Sequence, residues 1–285
     1  MNYFYYSEDE KIFSSKLLAL QYSKQNNKKI WFYYHDDVWS NLNWSIEPPL
    51  SIEHYYKEYA QIIRESYDYV ILCYSGGYDS TNILETFVYN NIKIDKIVVV
   101  GALKQDSHSG VDDNHNGEIY YNAIPYVKEL GLENILQVID YTKLFDDTNN
   151  FSILNQNQNW IDLCGPWFSP HNWFWYDIEK YVVPEEYKNK KVAIIFGKDK
   201  PSLFFSNDGK QLLAPNGNMR LNGFLFRDTP VLSYASTDYK RNLYGNIERV
   251  DFYWDPEYTE ILLKQIHVLY RYYQLSLINE YSKEE

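Results

Sequence analysis

YVILCYSGGYDS, residues 69–80, sets an apolar and aromatic run directly against a glycine-rich hexapeptide. The run 69–74 is short, rich in branched side chains and closed by a serine and two glycines. It reads as a strand covered on both faces, as in a parallel sheet. Beyond the hexapeptide, residues 81–89 place Ile83, Leu84, Phe87 and Val88 on one side of a helix. A strand, a tight turn and a helix in immediate succession put Ser75, Gly76, Gly77, Tyr78, Asp79 and Ser80 at the carboxyl end of a strand, where open α/β sheets bind ligands. Unpaired N–H groups and the positive helix end both attract an anion there. Two glycines let the backbone curl against phosphate oxygens, and Ser75 and Ser80 can donate hydroxyls to them. A carboxylate beside phosphates is repulsive unless a cation bridges the two, so Asp79 is expected to bind Mg²⁺. The loop is not a Walker loop, since no GxxxxGK[ST] occurs.

Working outward, KIVVV at 96–100, ILQVID at 135–140 and VAIIF at 192–196 read as further buried strands. A helical pattern at 118–130 ends at Gly131. Strand and helix alternate, which predicts right-handed βαβ units and an α/β fold with a parallel, Rossmann-like sheet. Residues 1–66 read as a small N-terminal α/β layer, with strands near 3–6 and 30–34 and helices near 14–23 and 52–65. Residues 67–205 form the expected core and 206–285 a C-terminal extension. That extension is irregular until Asp255-Pro256, read as the start of a helix of some 20 residues.

A formal net charge of −12 argues against a protein that coats nucleic acid. The two cysteines, Cys73 and Cys164, make neither a disulfide framework nor a CxxC pair, and Cys73 reads as a small buried hydrophobe. No leader peptide is apparent, and no apolar run approaches the roughly 20 residues that span a bilayer. A soluble, cytoplasmic protein without membrane contact is expected. The 30 tyrosines, with 14 phenylalanines and 8 tryptophans, suggest a homodimer.

The hexapeptide SGGYDS resembles the SGGxDS signature of the PP-loop ATP pyrophosphatases, the adenine nucleotide α-hydrolase-like superfamily. Five fixed positions arise by chance in on the order of one window per million. Three further stretches are similar to phage-encoded members of the phosphoadenosine phosphosulfate reductase-like branch. They are Arg64-Glu65-Ser66-Tyr67-Asp68-Tyr69, Gly197-Lys198-Asp199-Lys200-Pro201, and Phe252-Tyr253-Trp254-Asp255-Pro256 with Lys264, Gln265 and His267. The likeness runs from Trp44 to the final helix, and for a phage-encoded chain the setting would be the host cytoplasm.

The resemblance implies a HUP-type core and a loop that grips the departing pyrophosphate of ATP while an acceptor oxygen attacks the α-phosphate. It implies an adenylated intermediate, release of AMP, and an amide- or amidine-forming ligase acting on a small molecule, nucleobase or peptide. Backbone groups of Val100 and Gly101 would meet adenine, Gly197 would lie against the nucleotide, and Glu118 matches an acidic position that could orient the acceptor. No glutaminase is apparent, since the second residue is Asn2, so an amine, ammonia or a partner enzyme would supply nitrogen.

Other residues keep two readings. Lys198 and Lys200, at a strand's carboxyl end, could neutralise phosphate charge while Asp199 shares the metal with Asp79; the plainer reading is a solvated turn. Lys264, His267 and Arg271 share one side of a helix, either as an anion-binding stripe for the acceptor or as a solvated face. The aromatic stretch 160–176 reads as core or interface ahead of a stacking pocket, and residues 112–115 as a surface loop. Two other functions compete. Sulfur chemistry, as in sulfonucleotide reduction or RNA thiolation, would need a working cysteine, for which only Cys164 is a candidate. A nucleotide-binding protein without turnover would commonly have lost signature residues that are all present here.

Overall fold

A computed structural model of the chain describes residues 3–13, 16–34, 36–39, 41–44, 46–101, 103, 117–140, 178–197, 200 and 246–281. Its centre is a five-stranded sheet of β4 (Tyr69–Cys73), β5 (Lys96–Gly101), β6 (Leu136–Asp140), β7 (Val192–Phe196) and β8 (Ile247–Asp251). The spatial order is β6-β5-β4-β7-β8, and each neighbouring pair is parallel. The first core strand therefore lies in the middle. Successive strands are added on one side through β5 and β6, then on the other through β7 and β8. Strand order reverses between β5 and β7, so the carboxyl end of β4 opens at the topological switch point, where such sheets hold ligands.

All five residues of β4 are buried, which explains the uninterrupted apolar run. Alternation divides its side chains between two packed layers. Val70 and Leu72 join one cluster with Ile97, Val99, Ala193 and Ile195, while Tyr69, Ile71 and Cys73 face a second with Val98, Val192 and Ile194. Helix α3 (Ile52–Ser66) covers the first face. Ser51 caps it, accepting a hydrogen bond from the His54 N–H at 3.2 Å, and it buries Tyr55, Tyr56, Tyr59, Ala60 and Ile63 at helical spacing. Helix α4 (Tyr78–Tyr89) buries Ile83, Leu84 and Phe87 completely, each contributing roughly 1.5–3 kcal/mol. The last helix, α7 (Glu260–Tyr281), adds Ile261, Leu262 and Ile266 to the same cluster.

Residues 118–129 form one helical rod in two parts, a π-helical turn Glu118–Ala123 and α5 (Ile124–Glu129). Pro125 explains the irregularity, because it has no N–H to return to the preceding turn. The Ile124 N–H instead reaches the Ile119 carbonyl, five residues back. The rod closes as its sequence predicts: Gly131 N–H donates to Lys128 O at 2.9 Å and Leu132 N–H to Val127 O at 3.0 Å, a Schellman closure.

On the opposite face lies the short α6 (Glu179–Val182), with Ile178, Val182 and Val183 buried against β4, β7 and β8. Arg249 of β8 points to this side and pairs with Glu179 at 2.9 Å, both side chains being 5% exposed. Burial of an arginine is tolerable there because its counter-charge is buried with it. Cys73 shares this layer. Burial pushes its thiol up to about 12, in keeping with a packing residue rather than a nucleophile.

The amino-terminal segment builds a separate antiparallel sheet in the order β2-β1-β3, from β1 (Tyr3–Ser7), β2 (Ile12–Phe13) and β3 (Ile30–Tyr34). Helix α1 (Lys16–Asn26) connects β2 to β3, and the single turn α2 (Asp36–Trp39) leads back to the core, with Trp39 and Trp44 buried in its first cluster. Among the described residues no helix is long and apolar enough to cross a membrane.

Three sequence expectations are corrected. Strand β8, with Glu248 and Arg249 within it, carries too much charge to read as a buried strand, and only its pairing with β7 reveals it. Asp255-Pro256 does not start the last helix. Asp255 closes a turn instead, its carboxylate accepting the Glu257 N–H at 2.8 Å and its carbonyl the Tyr258 N–H at 3.2 Å, and α7 begins at Glu260. Helix α4 starts at Tyr78 rather than Thr81, so half of SGGYDS is the helix's own first turn.

Candidate functional site

Strand β4 ends at Cys73, and the Tyr74 N–H still donates to Val98 O at 2.8 Å. Ser75, Gly76 and Gly77 then turn the chain into α4. Gly77 is the N-cap, extended at φ −77° and ψ 164°, with no side chain to close the helix end. The N–H groups of Tyr78, Asp79 and Ser80 form the first turn, which lacks intrahelical acceptors. Donors and the positive end of a 12-residue helix thus meet at the switch point.

Two glycines are required by close approach. Gly76 has φ +87°, and a Cβ there would lie 2.9 Å from both the Ala123 nitrogen and the Glu118 oxygen. Gly197, just past β7, would bring a Cβ to 2.9 Å from the Ser80 nitrogen and 3.0 Å from its Cα. The first lets the loop rest on the π-turn, and the second lets β7 run under the first turn of α4.

The serines hold the loop's shape. Ser75 Oγ and Ser80 Oγ are 3.0 Å apart, the Gly77 N–H donates to Ser75 Oγ at 3.2 Å, and Ser80 Oγ receives the Ser75 N–H while donating to Gly77 O, both at 3.2 Å. Ser80 is buried, so its hydroxyl organises the turn from beneath.

Asp79 is partly exposed and pairs with Lys200 Nζ at 2.9 Å. The same ammonium lies 5.2 Å from the ring centroid of Tyr253, which follows β8. The Tyr253 hydroxyl donates to Asp79 O at 2.8 Å and accepts from Asn82 Nδ2 at 3.0 Å.

A cavity of about 720 Å³ opens beside the loop, between α4 and the 118–129 rod. Gly76, Gly77, Tyr78 and Lys200 form its end nearest the loop. Thr81, Asn82 and Glu85 line it from α4, and Glu118, Tyr121, Asn122, Pro125, Tyr126 and Glu129 from the rod. Tyr126 donates to Glu85 Oε1 at 2.6 Å; burial, then this carboxylate, drives its hydroxyl's pKa upward.

Of the residues expected from sequence, Ser75, Gly76, Gly77, Asp79, Ser80, Gly197 and Lys200 gather around one loop, and Glu118 stands on the adjoining wall. Val100 and Gly101 end β5 beside β4 and do not line the cavity. Lys198 and Asp199 lie outside the described residues, as do Cys164, residues 112–115 and the aromatic stretch 160–176. Lys264 and His267 are engaged elsewhere. Lys264 Nζ contacts Glu47 Oε1 at 2.6 Å and Pro48 O at 2.9 Å, His267 Nε2 lies 2.9 Å from Trp44 O, and Arg271 also pairs with Glu47. Their stripe clamps the 44–48 segment and faces neither loop nor cavity.

The sequence reading missed Asn82, Glu85, Tyr121 and Tyr126. Their signal was present as polar stripes, at 78, 82 and 85 on α4 and at 118, 121, 122, 126 and 129 on the rod. Tyr253 lies in the stretch 252–256 already noted, but that stretch shows no role for it, since it meets the loop only through the fold.

The donor set suits a magnesium nucleotide. Among the described residues there is no cluster of three or more metal-ligating side chains. Mg²⁺ bound with a nucleotide needs none, taking one or two carboxylates together with phosphate oxygens. Asp79, at an open helix end and paired with Lys200, would be the carboxylate to meet it.

Sheet order and loop together define the class: a parallel α/β protein, consistent with a Rossmann-like core, with a glycine turn and an open helix end at its switch point. Comparison with protein-family models, with curated proteins and with solved structures finds no match.

Proposed function

We propose that this chain is a HUP-type PP-loop ATP pyrophosphatase, an AMP-forming ligase that adenylates a small acceptor. The observation that carries the reading is the SGGYDS turn leading into the open amino end of α4 at the switch point of a parallel sheet. Side chains of the right chemistry, Asp79 and Lys200, converge on that turn.

In this reading the triphosphate lies along the first turn of α4, its β- and γ-oxygens receiving the N–H groups of residues 78–80. Ser75 can turn its hydroxyl hydrogen from Ser80 Oγ to phosphate while still accepting the Gly77 N–H. Mg²⁺, when bound, neutralises phosphate charge beside Asp79 and makes pyrophosphate a better leaving group. An oxygen of the acceptor attacks the α-phosphorus, the bond to the α–β bridging oxygen breaks, and pyrophosphate departs with that electron pair. A nitrogen nucleophile then displaces AMP from the adenylated acceptor. Lys200 is near enough to the turn to steady the charge that develops on the departing oxygens. The two walls carrying Glu85, Glu118 and Glu129 among tyrosines favour an amine or ammonium as the nitrogen source, since carboxylates and ring faces both attract cations. A wall carboxylate can take the proton the ammonium loses before its nitrogen attacks.

Pyrophosphate and AMP, assayed across a panel of carboxylate and amide acceptors with ammonium and simple amines, should appear together from ATP and Mg²⁺. Asp79→Ala should lower that release by about 100-fold or more with the melting temperature unchanged. Formation of ADP and phosphate instead would refute attack at the α-phosphorus.

A further inference from the structure

We infer that Tyr253, remote in sequence from the loop, is a positioning residue that sets Asp79 and Lys200 for the metal–phosphate complex. The inference rests on the nucleotide reading given above.

The ring of Tyr253 is 1% exposed, and packing alone would accept phenylalanine there. Its hydroxyl is what needs explaining. It is bonded twice, and both bonds land on the start of α4: the Asp79 carbonyl at 2.8 Å and the Asn82 amide at 3.0 Å. The Asp79 carbonyl already has the ordinary helical acceptor role toward the residue four ahead. The phenol is therefore a second donor to it, not the rescue of an orphaned group.

The ring face does separate work. Lys200 Nζ sits 5.2 Å from its centroid and 2.9 Å from Asp79 Oδ1. One buried side chain thus touches Asp79 through its backbone and Lys200 through its charge. Asn82, which shares the phenol, also faces the cavity. The same hydroxyl thereby links the cavity wall to the residue expected to meet the metal.

Tyr253 is itself held rigidly. Tyr56 packs edge-on at 5.9 Å between centroids, and the Tyr56 hydroxyl accepts from Gln265 Nε2 of α7 at 2.8 Å. A fixed donor is what positioning requires.

The test is calorimetric binding of α,β-methylene-ATP with and without Mg²⁺, on wild type and Tyr253→Phe. In wild type Mg²⁺ should tighten binding. Tyr253→Phe should lose about 10-fold of that gain, with metal-free affinity within about 2-fold of wild type and melting within a few degrees. An undiminished gain in a folded Tyr253→Phe would overturn the positioning role while leaving the nucleotide reading intact. Wild type that binds no nucleotide in either buffer would overturn that reading and this inference with it. Should Tyr253→Phe fail to fold, Asn82→Ala removes the amide partner of the phenol. It should shrink the magnesium gain in the same direction, and no change would count equally against the inference.

Discussion

The two ends of β4 are built on opposite principles. At its amino end Asp95, with a side chain 7% exposed, collects donors from three directions: Arg64 of α3, Lys93 at 2.6 Å and the Val70 N–H at 2.9 Å. Burial alone would raise its pKa, but these bonds outweigh burial and hold the carboxyl below its usual range. The Asp95 N–H returns a bond to Val70 O at 3.0 Å. At the carboxyl end, a few residues away, a glycine replaces the capping side chain and the first turn of α4 lies open. One end spends its polar groups on itself; the other withholds them. Open α/β sheets commonly separate stability from function along the strand axis in this way.

The sharpest way to break the comparison is at the closed end. Asp95→Ala strands the Val70 N–H and leaves Arg64 without its carboxylate. The expected cost is about 3 kcal/mol, read as a melting temperature lower by on the order of 5 °C. Pyrophosphate release per folded molecule should be unchanged. A fall in turnover matching that of Asp79→Ala would mean the two ends are not separable.

A smaller effect belongs to Gly197, where the two principles meet. An added Cβ would press on the Ser80 backbone at 2.9 Å and must move the first turn of α4 by a few tenths of an ångström. Gly197→Ala should cost about 1–2 kcal/mol in stability and about 10-fold in turnover, measured by thermal melts and by pyrophosphate release. Loss of stability without loss of turnover would show that the turn tolerates displacement.

How much of this was legible follows from how local each feature is. The Rossmann-like core was readable because β4, β5 and β7 are buried on both faces and so carry unbroken apolar runs. Strand β7 begins and ends where its sequence predicts. The loop was readable because glycine and hydroxyl spacing within six residues decides its shape. Strand β8 was not, since the buried Arg249 has its counter-charge in Glu179, 70 positions away. The Lys264 and His267 stripe misled for the same reason: a helix shows which charges share a face, never what that face meets. Their partners Glu47, Pro48 and Trp44 are more than 200 positions distant.

That clamp supplies the mildest test of the comparison, because Glu47 repeats the design of Asp95 in a wetter setting. It too accepts from two cations, Lys264 and Arg271, but its side chain is 31% exposed against 7% for Asp95. Burial pushes its pKa up, the bonds from Lys264 and Arg271 push it down, and the balance is below the ordinary 4.5. A lowered carboxyl pKa stabilises the fold above the unfolded value and ceases to do so as pH falls through the folded one. Glu47→Gln should therefore cost at most about 1 kcal/mol at neutral pH, the usual range for solvent-screened pairs. Urea midpoints of wild type and variant, separate at pH 7, should converge as pH drops below about 4.5. The Asp95 contribution starts from an ordinary value of 3.8 and should persist to lower pH. A cost at Glu47 equal to that at Asp95 would mean that the number of donors, and not the exclusion of water, gives the closed end of β4 its strength.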